Sequence, residues 1–350
     1  MGYLKRFASL IIFLLLTVLL GISYLRADSF PVVFYDYWQT INNYSPQVAG
    51  TGGLNLTEPH TTHTAFYNPA LLAFRERTVI SGSIRYFKED ETLYAADQLP
   101  DRESSKWYRK NFSYLGIDSE NVGFSYLALA NLHLEREYPA EETTERYYLD
   151  YYLDAYRLSF AEKSGLLAFG LNLSLLKGRV VFLRESLQEE NYLTEQFIDS
   201  PGWGYNLDFG AVVKSDRMSY GLTIPNLLGK IYWKDNPDYS LQRRLHLAAQ
   251  WGAGENYITG GLTRKFDFKS DNTYHLGFQQ AISFGVFRGE YQFLPLRVGL
   301  FFEQFKKWQD VGYSIGSGYQ YSIFQIDISY MMLNQEKKNH SLVAAISVGL

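Results

Sequence analysis

The chain of 350 residues contains no cysteine, only four methionines and, apart from one stretch near its start, no long apolar run. Without cysteine it has no disulfide scaffold, no thiolate zinc site and no thiol nucleophile, a composition compatible with an exported bacterial protein. After residue 27 no segment approaches the roughly 18 consecutive apolar residues that a spanning helix needs, so any passage through a membrane has to be made by strands. The patterns Gly-x-Ser-x-Gly and His-Glu-x-x-His are also missing, which removes the nucleophile elbow and the zincin helix. A Ser, His and Asn set gathered from separate strands around His246 or His275 is the remaining route to hydrolysis, and the reading is of a protein that is not an enzyme and has no cofactor. His60 and His63, with Glu58, are too few ligands for a zinc centre, so no metal is expected. Positive charge is scarce as well: the formal net charge is −4, and nucleic acid is excluded as a partner.

What the chain does contain is aromatic residue, 17% of the total, with 29 Tyr and 24 Phe. A sheet with one face in lipid and aromatic girdles at both interfaces accounts for that abundance. Lys5 and Arg6, the apolar run Leu10 to Leu20 and Ala27 before Asp28-Ser29 have the layout of a signal peptide covering residues 1–27 or, since Leu25 and Arg26 make the cleavage site imperfect, of an uncleaved membrane anchor. Its removal would leave 30 basic residues against 37 acids, a charge near −7.

Period-2 alternation recurs along residues 78–350. Phe324, Ile326, Ile328, Tyr330 and Met332 share one face, with Gln325, Asp327 and Ser329 on the other. Leu342, Ala344, Ile346, Val348 and Leu350 repeat the pattern. Tyr205, Leu207, Phe209, Ala211 and Val213 oppose Asn206, Asp208 and Lys214, and Leu245, Leu247, Ala249 and Trp251 oppose Arg244, His246 and Gln250. About fourteen such segments are expected, near 78–88, 107–117, 121–134, 147–161, 164–178, 203–214, 217–226, 241–252, 255–268, 272–284, 294–305, 308–319, 321–332 and 341–350. Most are long enough to cross a bilayer obliquely, for which roughly 9–11 residues suffice. Short turns at 162–164, 214–216 and 253–254 alternate with long polar connections near 89–106, 135–146, 179–202 and 227–240, the asymmetry of a barrel with tight periplasmic turns and longer outer loops. A soluble sandwich or solenoid would tolerate few inward Arg, His and Asp residues. An open sheet in hydrocarbon would leave edge groups unpaired, so the last strand has to meet the first. The expected fold is therefore all-β, a transmembrane antiparallel barrel in the outer membrane of a Gram-negative bacterium.

Residues 28–77 stand apart. Gly50, Gly52 and Gly53 are followed by Tyr67, Asn68, Pro69, Ala70, Leu71, Leu72 and Ala73, a segment too rich in turn formers to be a strand. Asn68-Pro69 makes a rigid turn with no donor at residue 69. The glycines permit positive φ or close backbone approach. This Gly-rich start and Tyr-Asn-Pro-Ala end resembles the N-terminal hatch of FadL-type outer-membrane transport proteins. Tyr205 to Ala211 with Ser219 to Gly229, and Leu294 to Leu300, are similar to the same group, and the second of these patterns resembles its PorV/PorQ-like branch as much as the fatty-acid transporters. The resemblance implies a fourteen-stranded barrel with residues 45–73 folded into the lumen as a plug. In the fatty-acid branch it implies diffusion of hydrophobic molecules from the outer loops into the barrel and out sideways through the wall, with outer-membrane lipid and a hydrophobic ligand as partners. In the PorV-like branch it implies a role in protein secretion or surface attachment, with exported proteins as partners. A structural or general porin is the third reading.

The lumen face carries Asp208, Lys214, Arg244, His246, Lys265, Asp267, Arg297, Glu303 and Asp327, which form a polar conduit or a docking wall for the plug, or simply pair across neighbouring strands. Arg264 falls on the lipid face, either near an interface or through a slip of register. Tyr138 to Tyr156, interleaved with acids, reads as an interfacial girdle merging into a loop. Tyr192, Phe197, Trp203 and Trp233, with Ile231 and Tyr239, are the candidates for capturing a hydrophobic ligand at the outer end.

Overall fold

The structure, a computed structural model, describes residues 44–59, 61–88, 112–139, 144–188, 191–235, 238–253, 255–266, 272–287, 290–302, 311–334 and 339–350. The leader and the extension to residue 43, the connection 89–106, His60, Asp267 and Glu303 lie outside the described residues. The strands are β1 (Val79–Lys88), β2 (Phe112–Asp118), β3 (Val122–Pro139), β4 (Thr144–Ser164), β5 (Leu167–Gln188), β6 (Asn191–Lys214), β7 (Met218–Trp233), β8 (Tyr239–Ser240), β9 (Arg244–Ala253), β10 (Asn256–Lys265), β11 (Asn272–Phe287), β12 (Glu290–Phe302), β13 (Gly312–Tyr321), β14 (Phe324–Asn334) and β15 (Asn339–Gly349). All neighbours are antiparallel, and β15 pairs with β1 from Gly349 opposite Val79 to His340 opposite Lys88. The two-residue β8 only rides on β7, so fourteen strands form the closed wall.

Each of the fourteen alternating segments falls on one of these wall strands. Outward residues such as Ile84, Leu173, Leu175, Val298, Ile326 and Ile328 are exposed and apolar, while inward Ser81, Asn172, Ser174, Arg297, Asp327 and Ser329 are buried. Such an outer surface suits hydrocarbon, and closure leaves the wall no edge within it. Tyr220, Trp251 and Tyr291 are exposed close to the short-turn ends of β7, β9 and β12, where amphipathic rings favour the headgroup zone. Arg264 keeps the outward register and is exposed next to the end of β10, at the rim of the wall.

The long connections differ from expectation. Residues 135–139, 144–146, 179–188, 191–202 and 227–233 are strand, because β3 to β7 run on past the barrel. At roughly 3.4 Å per residue, β4, β5 and β6, of 21, 22 and 24 residues, are about twice as long as a crossing requires. Their upper parts stand off the loop end as a paired blade, held by side-chain bridges such as Arg179–Asp199 at 2.7 Å and Arg184–Glu145 at 3.0 Å. Of Tyr138 to Tyr156, the described residues 138–139 and 144–156 are strand in this paired region, and Tyr151 within it is buried, its ring centroid 6.2 Å from that of Trp233.

Candidate functional site: the lumen segment and the cavity beside it

Residues 44–59 and 61–74 lie against the inner face of the wall. Pro46 starts a short helix, α1 (Pro46–Gly50), where its missing N–H costs nothing, and Gly52 (φ 87°) and Gly53 (φ 86°) turn the chain away. Bends and turns in the described residues 54–59 and 61–63 lead to α2 (Thr64–Tyr67) and a 3-10 turn over Pro69–Phe74, capped by the Asn68 side chain, which accepts from Ala70 N at 3.1 Å.

Three groups of contacts fix this segment. On the β11–β14 side, Gln47 donates to Asp327 at 3.1 Å, and Asp327 pairs with Arg297 at 2.6 Å. Ser314 donates to Gly50 O at 3.1 Å, and the His275 ring contacts Gly52 O at 2.7 Å. At the β1–β2 side, His63 stacks on Tyr114 with centroids 3.8 Å apart, and its Nδ1 is 3.1 Å from Ser81 Oγ. Burial holds the His63 imidazole well below its ordinary pKa, at about 3, with the Arg75 charge acting in the same direction. Toward β5–β7, Asn68 donates to Leu56 O and Ala211 O, and Asn172 donates to Ala65 O at 3.0 Å.

Close approach is possible because the wall presents glycine where the segment passes. A β-carbon on Gly299 or Gly277 would strike the backbone of Gly52 or Thr51, one on Gly221 the carbonyl of Leu56, and one on Gly210 or Gly170 the Asn68 to Ala70 turn. Sequence reasoning missed this track, since the need for glycine on each strand is set only by where the segment runs.

Beside the segment lies a cavity of about 100 Å³, with Leu54, Leu56, Phe66, Tyr67 and Pro69 on one side and Arg157, Asn172, Asp208, Thr223, Pro225, Arg244, His246 and His275 on the other. Asn172, Asp208 and Thr223 sit two residues farther from the short turns than Gly170, Gly210 and Gly221, which the segment touches. Two residues are roughly 7 Å of strand, so the cavity opens on the loop side and the segment forms its floor. Asp208 organises this wall: it accepts from Asn206 at 2.9 Å, from the Asn226 backbone at 2.9 Å and from Asn172 at 3.3 Å, and pairs with Arg157 at 3.2 Å. The Arg157 guanidinium also lies 5.1 Å from the Phe66 ring centroid.

Among the residues singled out from sequence, Gly50, Gly52, Gly53, Tyr67, Asn68, Pro69 and Ala70 are all in the lumen segment, with Tyr67 accepting from the backbone of Tyr44 and Ser45. Asp208, Arg244 and His246 converge on the cavity, whereas Arg297 and Asp327 serve the α1 anchor. Lys265 is half-buried at the end of β10 opposite Arg244, and Lys214 is at the short-turn end of β6. The ligand-capture set does not converge. Tyr192 and Phe197 are exposed on the blade, Trp203 faces outward against Tyr232 with centroids 4.9 Å apart, and half-buried Trp233 fills the space over Gly202 and Gly178; none lines the cavity. The apolar lining comes from Leu54, Leu56, Phe66 and Pro225, which sequence reasoning did not single out. Polar residues within an apolar alternation, Arg157 and Asn172, were the available signal. His275 is occupied at both ring nitrogens, by Gly52 O and by Thr263 Oγ1 at 3.2 Å.

Next to the cavity the ladder between β7 and its neighbour is broken over 224–228, and it resumes where Leu241 N donates to Gly229 O at 3.0 Å. β7 pairs with β9 only from Met218 to Thr223, and beyond it Asn226 takes a positive φ of 55° and donates to Gln242 O at 2.8 Å. Pro225 has no N–H to offer a neighbouring strand.

No protein-family model matches the chain, and no curated protein matches it in sequence. Among solved structures it is similar to the toluene transporter TodX of Pseudomonas putida, with a TM-score of 0.55 and 12% identity over 88% of this chain and 98% of that one. It is also similar to a FadL homologue of Pseudomonas aeruginosa, with a TM-score of 0.51 and 11% identity over 87% and 98% of the two chains. At these identities the likeness is one of fold, and the barrel that the FadL resemblance implies is the barrel found.

Proposed function

We propose that the chain is an outer-membrane barrel through which hydrophobic small molecules, of the kind represented by long-chain fatty acids, pass by diffusion without cofactor or catalysis. The observation that carries this reading is the largely apolar cavity on the loop side of the lumen segment, floored by that segment and bordered by the interruption between β7 and β9. A molecule entering from the loop end would reach the cavity, be stopped by residues 45–73, and leave either when these move or sideways past Pro225 to Leu228. The fold shared with TodX, a toluene transporter, supports the reading. Deleting residues 45–73 is expected to leave the barrel assembled and to change uptake of radiolabelled oleate or toluene by cells; unchanged uptake of both would overturn it.

The blade favours a second reading, a barrel that binds exported proteins. Leu193 and Phe197 are exposed there, and among the described residues the outer edge of β6 from Leu193 to Asp199 has no paired strand. Such an edge accepts an added strand readily. Affinity capture from outer membranes separates the two readings: a stoichiometric co-purifying protein lost on trimming the blade supports the second, and lipid in the lumen supports the first.

A further inference from the structure

The break between β7 and β9 is a built feature of the wall, and its use as an exit rests on the transport reading. Against β6, Leu207 stands opposite Leu228 and Phe209 opposite Ile224, so Pro225, Asn226 and Leu227 together face Asp208 alone. A bulge of this kind bends its strand and ends local pairing. Against β9, pairing stops at Thr223 opposite His246. Backbone groups freed inside a membrane wall need other partners. The Asn226 N–H donates to Asp208 Oδ1 at 2.9 Å, and the Asn226 side chain donates across the break to Gln242 O at 2.8 Å. Pro225 has no N–H to satisfy. Asn226 also takes a φ of 55°, a left-handed conformation that asparagine adopts far more readily than a β-branched residue. Its anchor is itself held in place, because Asp208 pairs with Arg157 at 3.2 Å and accepts from Asn206 at 2.9 Å.

The side chains at the break are apolar. Ile224, Leu227 and Leu241 are buried, and a β-carbon on Gly229 would strike the Leu241 side chain. Apolar side chains can part in hydrocarbon without losing a hydrogen bond, whereas a continuous ladder cannot. Asp208, Thr223 and Pro225 also line the cavity, so the break and the cavity share one stretch of wall.

We propose that Asn226, anchored by Asp208, is the positioning residue for lateral passage. By holding residues 225–227 in the bulge it keeps β7 from zipping onto β9, and the exit from the cavity is closed by Ile224, Leu227 and Leu241 and opens when these side chains part.

The chain has no cysteine, so a pair introduced across the break reacts alone. Ile224→Cys with Leu245→Cys takes the positions next in line after Thr223 and His246. Toluene uptake by cells is expected to fall several-fold when this pair is bridged by a short bis-methanethiosulfonate reagent, and to recover on reduction. Bridging Tyr220→Cys with Ala249→Cys, which already face each other in the ladder, should leave uptake unchanged. In separate variants, Asn226→Val should lower uptake several-fold while toluene binding to the full chain in lipid nanodiscs is kept. Asn226→Gly, which retains positive φ, should keep both. Should Asn226→Val fail to assemble, Asn226→Ala, which disfavours positive φ more mildly, takes its place. Unchanged uptake on bridging 224 to 245, an equal fall on bridging 220 to 249, or a loss in Asn226→Gly as large as in Asn226→Val overturns the assignment and leaves transport standing. Unchanged uptake on bridging, together with unaltered oleate and toluene uptake after deletion of residues 45–73, overturns both.

Discussion

Gly299 sits on the inner face of β12 where the Gly52 backbone passes, so a β-carbon there would occupy the space of the Gly52 amide. Gly260, on the adjoining outer surface, is the internal control, because a β-carbon built on it meets nothing nearer than 3.6 Å. Gly299→Val should therefore weaken docking of the lumen segment by about 1–3 kcal/mol, the usual cost of overpacking, seen as faster hydrogen exchange over residues 50–54. Gly260→Ala should leave that exchange unchanged. His63 gives the segment a dependence on pH whose sign is set by burial. Its docked pKa of about 3 lies below the free value of 6.5, so the docked state is favoured by the neutral ring. That contribution is complete above pH 6.5 and declines as the pH falls from 6.5 toward 3. Exchange over residues 61–67, corrected for intrinsic rate, should accelerate between pH 7.5 and 5. His63→Phe, which retains an aromatic ring against Tyr114, should flatten the difference; an identical pH response in that variant would exclude His63 as its source.

Strands β5 and β6 combine two regimes in one element. Near the short turns their outward residues, Leu171, Leu173, Tyr205 and Val213, are exposed apolar side chains on a lipid-facing wall. Beyond Gly178 and Gly202, although Val180, Ser186 and Ser200 stay buried, Arg179, Arg184, Glu195 and Asp199 hold the hairpin by ion pairs. The blade should thus be dispensable for assembly. Removing residues 182–198, whose ends are paired as Phe182 and Ile198, and joining Val181 to Asp199 through Asn-Gly should give a barrel with unchanged heat-modifiable migration on gels. Loss of the folded band would mean that the blade contributes to closure. The same division explains what was legible. All fourteen wall strands could be read because lipid on one side and packed polar groups on the other enforce period 2. The upper part of β6, with Thr194-Glu195-Gln196 and Pro201, has water near both faces and no such selection, so it read as a loop although it pairs with β5 as far as Gln188. The ends of the turns shifted by a residue or two for a local reason: Gly165, not Ser164, takes the positive φ after β4.

For the molecule as a whole, the turns of the lumen segment were legible in sequence because their chemistry is local, Asn68 capping Pro69 and glycines at 52 and 53 supplying positive φ. Its surroundings could not, because Arg157, Asn172, Thr223 and Phe66 meet only through the register of a closed sheet. The same closure makes the wall independent of what fills it: β1 and β15 are joined along the full length of β1 without help from residues 45–73. Deleting those residues should therefore leave a water-filled barrel. The described inward side chains left behind include Arg75, Arg85, Arg157, Arg244 and Arg297 against Asp118, Asp208, Glu255 and Asp327, an excess of positive charge on the inner wall although the chain is −4 overall. Charges lining a lumen set its selectivity, so the emptied barrel should conduct with a preference for anions. In planar bilayers the full chain is expected to show little steady conductance, and the deletion variant to conduct with a reversal potential displaced toward that of chloride in a potassium chloride gradient. A cation preference would mean that the acids outside the described residues, Asp267 and Glu303 among them, dominate the lumen, and an absence of conductance would mean that something other than residues 45–73 closes the barrel.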